Sequence, residues 1–115
     1  MTEIAYFDGR ETGNDGMYIK PCDIIFINAY LNDIEKKKVL YHELGHVGQY
    51  LENYDRMRER FELEANRNMI HHLLKEYLPT LDDIEDFNVY RFMEAYRLKT
   101  ICDEAMVVNE FKNLI

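Results

Sequence analysis

Five consecutive residues, His42-Glu43-Leu44-Gly45-His46, carry the most chemistry in this chain. Two histidines four positions apart on a helix project from the same face. That spacing suits two imidazole nitrogens at about 2.0–2.1 Å from one Zn²⁺. Glu43 points partly toward the same place, where a carboxylate can take a proton from a water activated by the metal. Gly45 leaves space beside His46 for packing or for the close approach of another element. The plain alternative is two exposed histidines beside a solvated Glu. A capped helix directly after a strand favours the metal reading.

A catalytic zinc site takes a third protein ligand and keeps a position open for water. The extended pattern HExxHxxGxxH does not supply it here, because Gln49 stands where its glycine would be and Glu52 where its third histidine would be. The following helix offers Glu59, Glu62 and Glu64. In Glu62-Leu63-Glu64-Ala65-Asn66 an acid and an amide lie four apart, on one face. Glu62 can ligate the metal while Asn66 reaches the second nitrogen of a ligand histidine and fixes its tautomer. Glu64 lies about 200° around the helix from Glu62, so only one of the two faces the metal, and Glu62 is the one paired with Asn66. His71 and His72 are offset from Glu62 by about 180–280° and are expected on the surface or in helix packing. Tyr50 and Tyr54 follow the metal-bearing segment and are candidates to donate a hydrogen bond to a developing oxyanion.

The elements that must position these residues can be read from turn signals and periodicity. Ile4-Ala5-Tyr6-Phe7 is a short apolar run closed by Asp8-Gly9, and Gly13-Asn14-Asp15-Gly16 is a strong turn signal. Met17-Tyr18-Ile19-Lys20 and Asp23-Ile24-Ile25-Phe26-Ile27-Asn28 follow, split by Pro21. The second of these is the best strand in the sequence, β-branched and aromatic. Asn32 then reads as an N-cap with Glu35 completing a capping box. Leu40, Leu44, Val47 and Leu51 recur as one helix face. A second helix is expected from about Asp55 to Tyr77, with Phe61, Ala65, Met69, Leu73 and Tyr77 along one side and Pro79 stopping it near Leu78. A third apolar-periodic stretch carries Val89, Phe92, Met93, Tyr96 and Leu98 toward Ile101. The tail from Ala105 to Phe111 reads equally as helix or strand. The expected fold is α+β: a small N-terminal antiparallel or mixed sheet against three helices, with the metal between the first two helices.

Composition bounds the rest. A chain of 115 residues with 47% hydrophobic and 13% aromatic content builds one packed domain, 1–115, rather than a disordered tail. Fourteen Lys+Arg against twenty-two Asp+Glu give a net charge of -8. That sum repels phosphate backbones, so no direct nucleic-acid partner is expected. The basic runs Lys36-Lys37-Lys38 and Arg56-Met57-Arg58-Glu59-Arg60 are neighboured by acids and read as solvated helix faces. No signal peptide and no membrane span is visible. Cys22 and Cys102 stand far apart, in no CxxC pattern, and are expected as free thiols in a reducing cytoplasm.

From Gly16 to Leu78 the chain resembles the ImmA/IrrE family of metallopeptidases. His42-Glu43-Leu44-Gly45-His46, then Glu62-x-x-Ala65-Asn66 and Leu73-Leu74, carry the likeness, with Gly16-Met17-Tyr18 and Ile25-Phe26-Ile27-Asn28 before them. The resemblance implies a minimal zincin-like, gluzincin-like fold with Zn²⁺ bound by His42, His46 and Glu62, and Glu43 as catalytic base. It implies a cytoplasmic endopeptidase, encoded by a phage or mobile element or serving a stress response. Its protein substrate would be a helix-turn-helix transcriptional repressor of the same genetic element. It also places Ile25, Phe26, Ile27 and Asn28 beside the cleft, where they would either form an edge for an added peptide strand or lie in a strand buried on both sides. The rival reading is a zinc-stabilised anti-repressor that sequesters its partner without cutting it. Two departures stand out: the helix that commonly precedes the first strand is missing or vestigial, and the segment from Pro79 shows no recognisable pattern.

Overall fold

The computed structural model describes residues 2–49 and 54–115. Tyr50, Leu51 and Glu52, named above, lie outside the described residues. The chain forms two compact units, Met1–Met69 and Ile70–Ile115.

The first unit holds a three-stranded sheet of β1 (Glu3–Phe7), β2 (Gly16–Ile19) and β3 (Ile24–Asn28) in the order β1-β3-β2. β1 runs parallel to β3, with Ile4 opposite Ile25, while β2 runs antiparallel to it, with Tyr18 opposite Ile25. The sheet is therefore mixed, and β3 is its middle strand. This corrects the expectation that Ile25, Phe26, Ile27 and Asn28 offer a free edge. Both sides of β3 are already hydrogen-bonded, so no peptide can add there. Ile25 and Ile27 are core residues, and buried Asn28 is structural: its Oδ1 accepts from the main-chain N–H groups of Gly9 and Tyr30. The outer edges of the sheet belong to β1 and β2.

The tight passage from β2 to β3 is a 3₁₀ turn, Lys20–Cys22, that uses Pro21 and ends on Asp23 in the left-handed region at φ 53. The Asp23 carboxylate accepts from Thr2 Oγ1 and the Tyr18 hydroxyl, which braces that conformation. Those two hydrogen bonds hold its carboxyl below the ordinary carboxylate range.

Helix α1 (Asp33–Leu44) starts where Asn32 Oδ1 accepts from the Glu35 N–H at 2.8 Å. The Glu35 carboxylate turns to Lys38 at 3.5 Å. The helix packs on β2 and β3, and Gly16 lies so close to the Val39 side chain that a β-carbon there would collide with it. α1 ends earlier than its apolar spacing implies. After Leu44 the chain winds on as tighter turns, with His46 N–H on the Glu43 carbonyl and Val47 N–H on the Leu44 carbonyl. Gly48 then breaks the winding at φ +91.

Helix α2 (Tyr54–Tyr77) departs from helical angles at Met57, φ -117 and ψ 23. In the first unit it buries Phe61, Ala65 and Met69.

The second unit takes the remainder of α2, a 3₁₀ turn at Leu78–Thr80 around Pro79, a further 3₁₀ turn at Ile84–Asp86, α3 (Val89–Ala95) and α4 (Ile101–Leu114). The third apolar-periodic stretch forms α3, which stops short of Ile101, and the tail that read equally as helix or strand is the helix α4. Arg97 adopts φ 56, the Leu98 N–H bonds back to the Met93 carbonyl, and the Arg97 N–H bonds to the Glu94 carbonyl. This is the left-handed helix stop usually built on glycine. Thr100 then caps α4, accepting from the Asp103 N–H. An aromatic cluster organises this unit: Phe87 stacks on Phe111 at 4.1 Å, and Phe92 sits 5.0 Å from Tyr96 and 5.2 Å from Tyr77. His71 meets buried Glu110 at 3.2 Å. Both cysteines are free and exposed. No helix among the described residues is long and apolar enough to cross a membrane.

Candidate metal centre

His42 lies in the last turn of α1 and His46 one residue beyond the helix cap. The tightened turn after Leu44 keeps His46 on the His42 side, with ring centroids 5.1 Å apart. Both rings present Nε2 to one carboxylate: His42 to Glu62 Oε2 at 3.0 Å and His46 to Glu62 Oε1 at 3.3 Å. α2 brings Glu62 this close because Ala65, one turn further on, packs directly on Gly45. Glu64 points elsewhere, to Arg60 and to Gln49.

The opposite nitrogen of each ring is also engaged. His42 Nδ1 lies 2.8 Å from Asn66 Oδ1, and His46 Nδ1 lies 2.7 Å from Gln49 Oε1. An amide oxygen only accepts, so in a neutral ring the proton sits on Nδ1 and Nε2 carries a lone pair. Ligand atoms of His42, His46 and Glu62 then converge within 4.8 Å of one another. Three acceptors facing one point repel unless a cation stands among them. Two imidazoles and a carboxylate, with a side left open, are the donor set of a catalytic divalent metal, so the residues fit the group.

That open side is a cavity of about 390 Å³ lined by Gly16, Met17, Tyr18, Glu43, His46, Tyr54 and Glu62. Burial raises the Glu43 carboxyl above its ordinary range, against the lowering effect of the two histidines, and Glu62 adds to the rise. The Tyr18 main chain has a lowering effect as well, the smallest of these. At Glu62 burial also pulls upward, but the Tyr54 hydroxyl and the two imidazoles outweigh it and leave the carboxyl below its usual value. Tyr54 donates to Glu62 Oε1 at 2.6 Å. Its hydroxyl is thus engaged by a neighbouring carboxylate in the position where an oxyanion donor was expected.

The structure brings together His42, Glu43, His46, Tyr54, Glu62 and Asn66. It leaves Ile25, Phe26, Ile27 and Asn28 in the middle of the sheet, and Tyr50 lies outside the described residues. Gln49 was missed as a partner of His46. The available signal was a glycine at position 48, where a reversing turn returns an amide to the residue three before it.

Residues 2–99 match the model of the family described as Peptidase_M78, IrrE N-terminal-like domain. No curated protein and no solved structure matches the chain.

Proposed function

Because the chain belongs to the Peptidase_M78 family of IrrE N-terminal-like domains, we propose that it is a zinc-dependent endopeptidase acting in the cytoplasm. Its substrate on this reading is a helix-turn-helix transcriptional repressor of the same phage or mobile element. The observation that carries the enzymatic part is the convergence of His42, His46 and Glu62 beside Glu43 on one cavity.

A Zn²⁺ held by His42, His46 and Glu62 would polarise the scissile carbonyl and acidify a neighbouring water. Glu43 takes the proton of that water at its carboxylate as the oxygen adds to the carbonyl carbon. It then delivers the proton to the amine nitrogen as the C–N bond breaks. Tyr54 holds Glu62, and Asn66 keeps the His42 proton on Nδ1. β2, not β3, supplies the strand edge beside the cavity, through Gly16, Met17 and Tyr18, and a substrate segment would lie extended along it.

The decisive experiment mixes the purified chain with the repressor encoded beside its gene, with zinc or with chelator. Discrete fragments that appear only with zinc support the reading. An intact repressor under both conditions, held in a stable complex, would replace it with sequestration.

A further inference from the structure

Gln49 closes a tight turn over His46. Its main-chain N–H donates to the His46 carbonyl at 3.1 Å, and Gly48, third in the turn, has φ +91. A positive φ at that position is what a type II turn requires, and glycine meets it without penalty. Among the described residues nothing lies within 4 Å of where a Gly48 β-carbon would stand, and the demand for glycine there is conformational. The turn folds the Gln49 side chain back until Oε1 reaches His46 Nδ1.

An amide has an accepting end and a donating end, and its partners decide which way it points. Gln49 Nε2 faces the Phe61 carbonyl at 3.3 Å and Glu64 Oε2 at 3.2 Å, two groups that only accept. The reverse orientation would set an oxygen against both. Glu64 is in turn held by Arg60 Nε at 3.1 Å. The series Arg60, Glu64, Gln49, His46 therefore fixes the amide, the amide fixes the imidazole proton on Nδ1, and His46 Nε2 is left with its lone pair toward Glu62.

We propose that Gln49 is the positioning residue of His46, and that Glu64, acting through Gln49, sets which His46 nitrogen is available to a metal. The metal part of this proposal rests on the ligand reading given above; the tautomer does not. Asn66 serves His42 from α2, whereas His46 depends on a turn residue whose orientation is set by a second carboxylate.

The test reads the histidine tautomers in metal-free, nitrogen-15-labelled protein and zinc affinity by competition with a chelator. In the parent, both rings should carry the proton on Nδ1. In Gln49→Ala, His46 should become a mixture of tautomers while His42 is unchanged, and zinc affinity should fall roughly 10–100-fold. Gln49→Glu alone sets a carboxylate against Glu64 and should also weaken binding. Combined with Glu64→Gln it exchanges donor and acceptor between the two positions, and most of the lost affinity should return. A merely structural role for Gln49 would not give that recovery. Gln49→Ala with the parent's His46 tautomer and zinc affinity overturns the proposal, as does a double variant no better than Gln49→Glu. A parent that binds no zinc, yet loses the His46 tautomer in Gln49→Ala, would remove the ligand reading and leave the positioning role standing.

Discussion

Gly45 and Ala65 meet backbone to backbone: a β-carbon on Gly45 would lie 2.6 Å from the Ala65 Cα. This contact sets how far the segment bearing both histidines stands from the helix bearing Glu62 and Asn66. Gly45→Ala forces the two apart and should cost about 1–3 kcal/mol of stability, the range for overpacking a filled site. It should lower zinc affinity as well, because the ligands sit on opposite sides of the contact. A denaturation midpoint equal to the parent's would show that the approach has slack.

Zinc content is the most direct check on the ligand set. Elemental analysis should find about one Zn²⁺ per chain, as a two-histidine, one-carboxylate site implies. Glu62→Gln should weaken binding more than Glu64→Gln, since Glu62 touches both imidazoles while Glu64 reaches Gln49 and Arg60 and neither histidine. Equal losses would mean that the third ligand lies elsewhere.

Glu43→Gln separates chemistry from binding. The amide keeps the shape of the side chain but accepts no proton. Cleavage should drop by at least roughly a hundredfold, the lower range for a lost general base, with zinc content nearly unchanged. Full activity in this variant would point to a different base.

Asn66→Ala should release the His42 ring and cost roughly 10–100-fold in metal affinity or activity. Asn66→Asp should be tolerated better, because a carboxylate accepts the same hydrogen bond. Zinc titration of both variants decides the matter; an Asn66→Ala protein that binds and cleaves like the parent rules the role out.

Much of this centre was legible before any coordinates, because its information is local. Two histidines four apart, and an acid and amide four apart, are helical spacings that name a face. The family match extends that reading, covering 2–99 where the quoted motifs span Gly16 to Leu78. What escaped depends on non-local or unsignalled geometry. Pairing order is not written in a strand's own residues, so Ile25–Asn28 looked as able to stand at an edge as in the middle. The apolar spacing through Val47 outran the helix because the chain tightens after Leu44 and Gly48 breaks the winding. The stop after α3 carried no glycine, and Arg97 in a left-handed conformation leaves no mark in the sequence.

His46 and Glu62 touch at 3.3 Å although they stand sixteen positions apart in the sequence. A cation binding both only in the folded chain would stabilise the fold as well as serve the reaction. The ion would then be a staple of the first unit, and its free concentration would set the melting temperature by mass action. Stripping it with a chelator should lower the thermal midpoint of the parent, and of Glu43→Gln by the same amount. Catalysis and folding would draw on one reservoir of metal, so a cell short of zinc would lose the protein itself along with its activity.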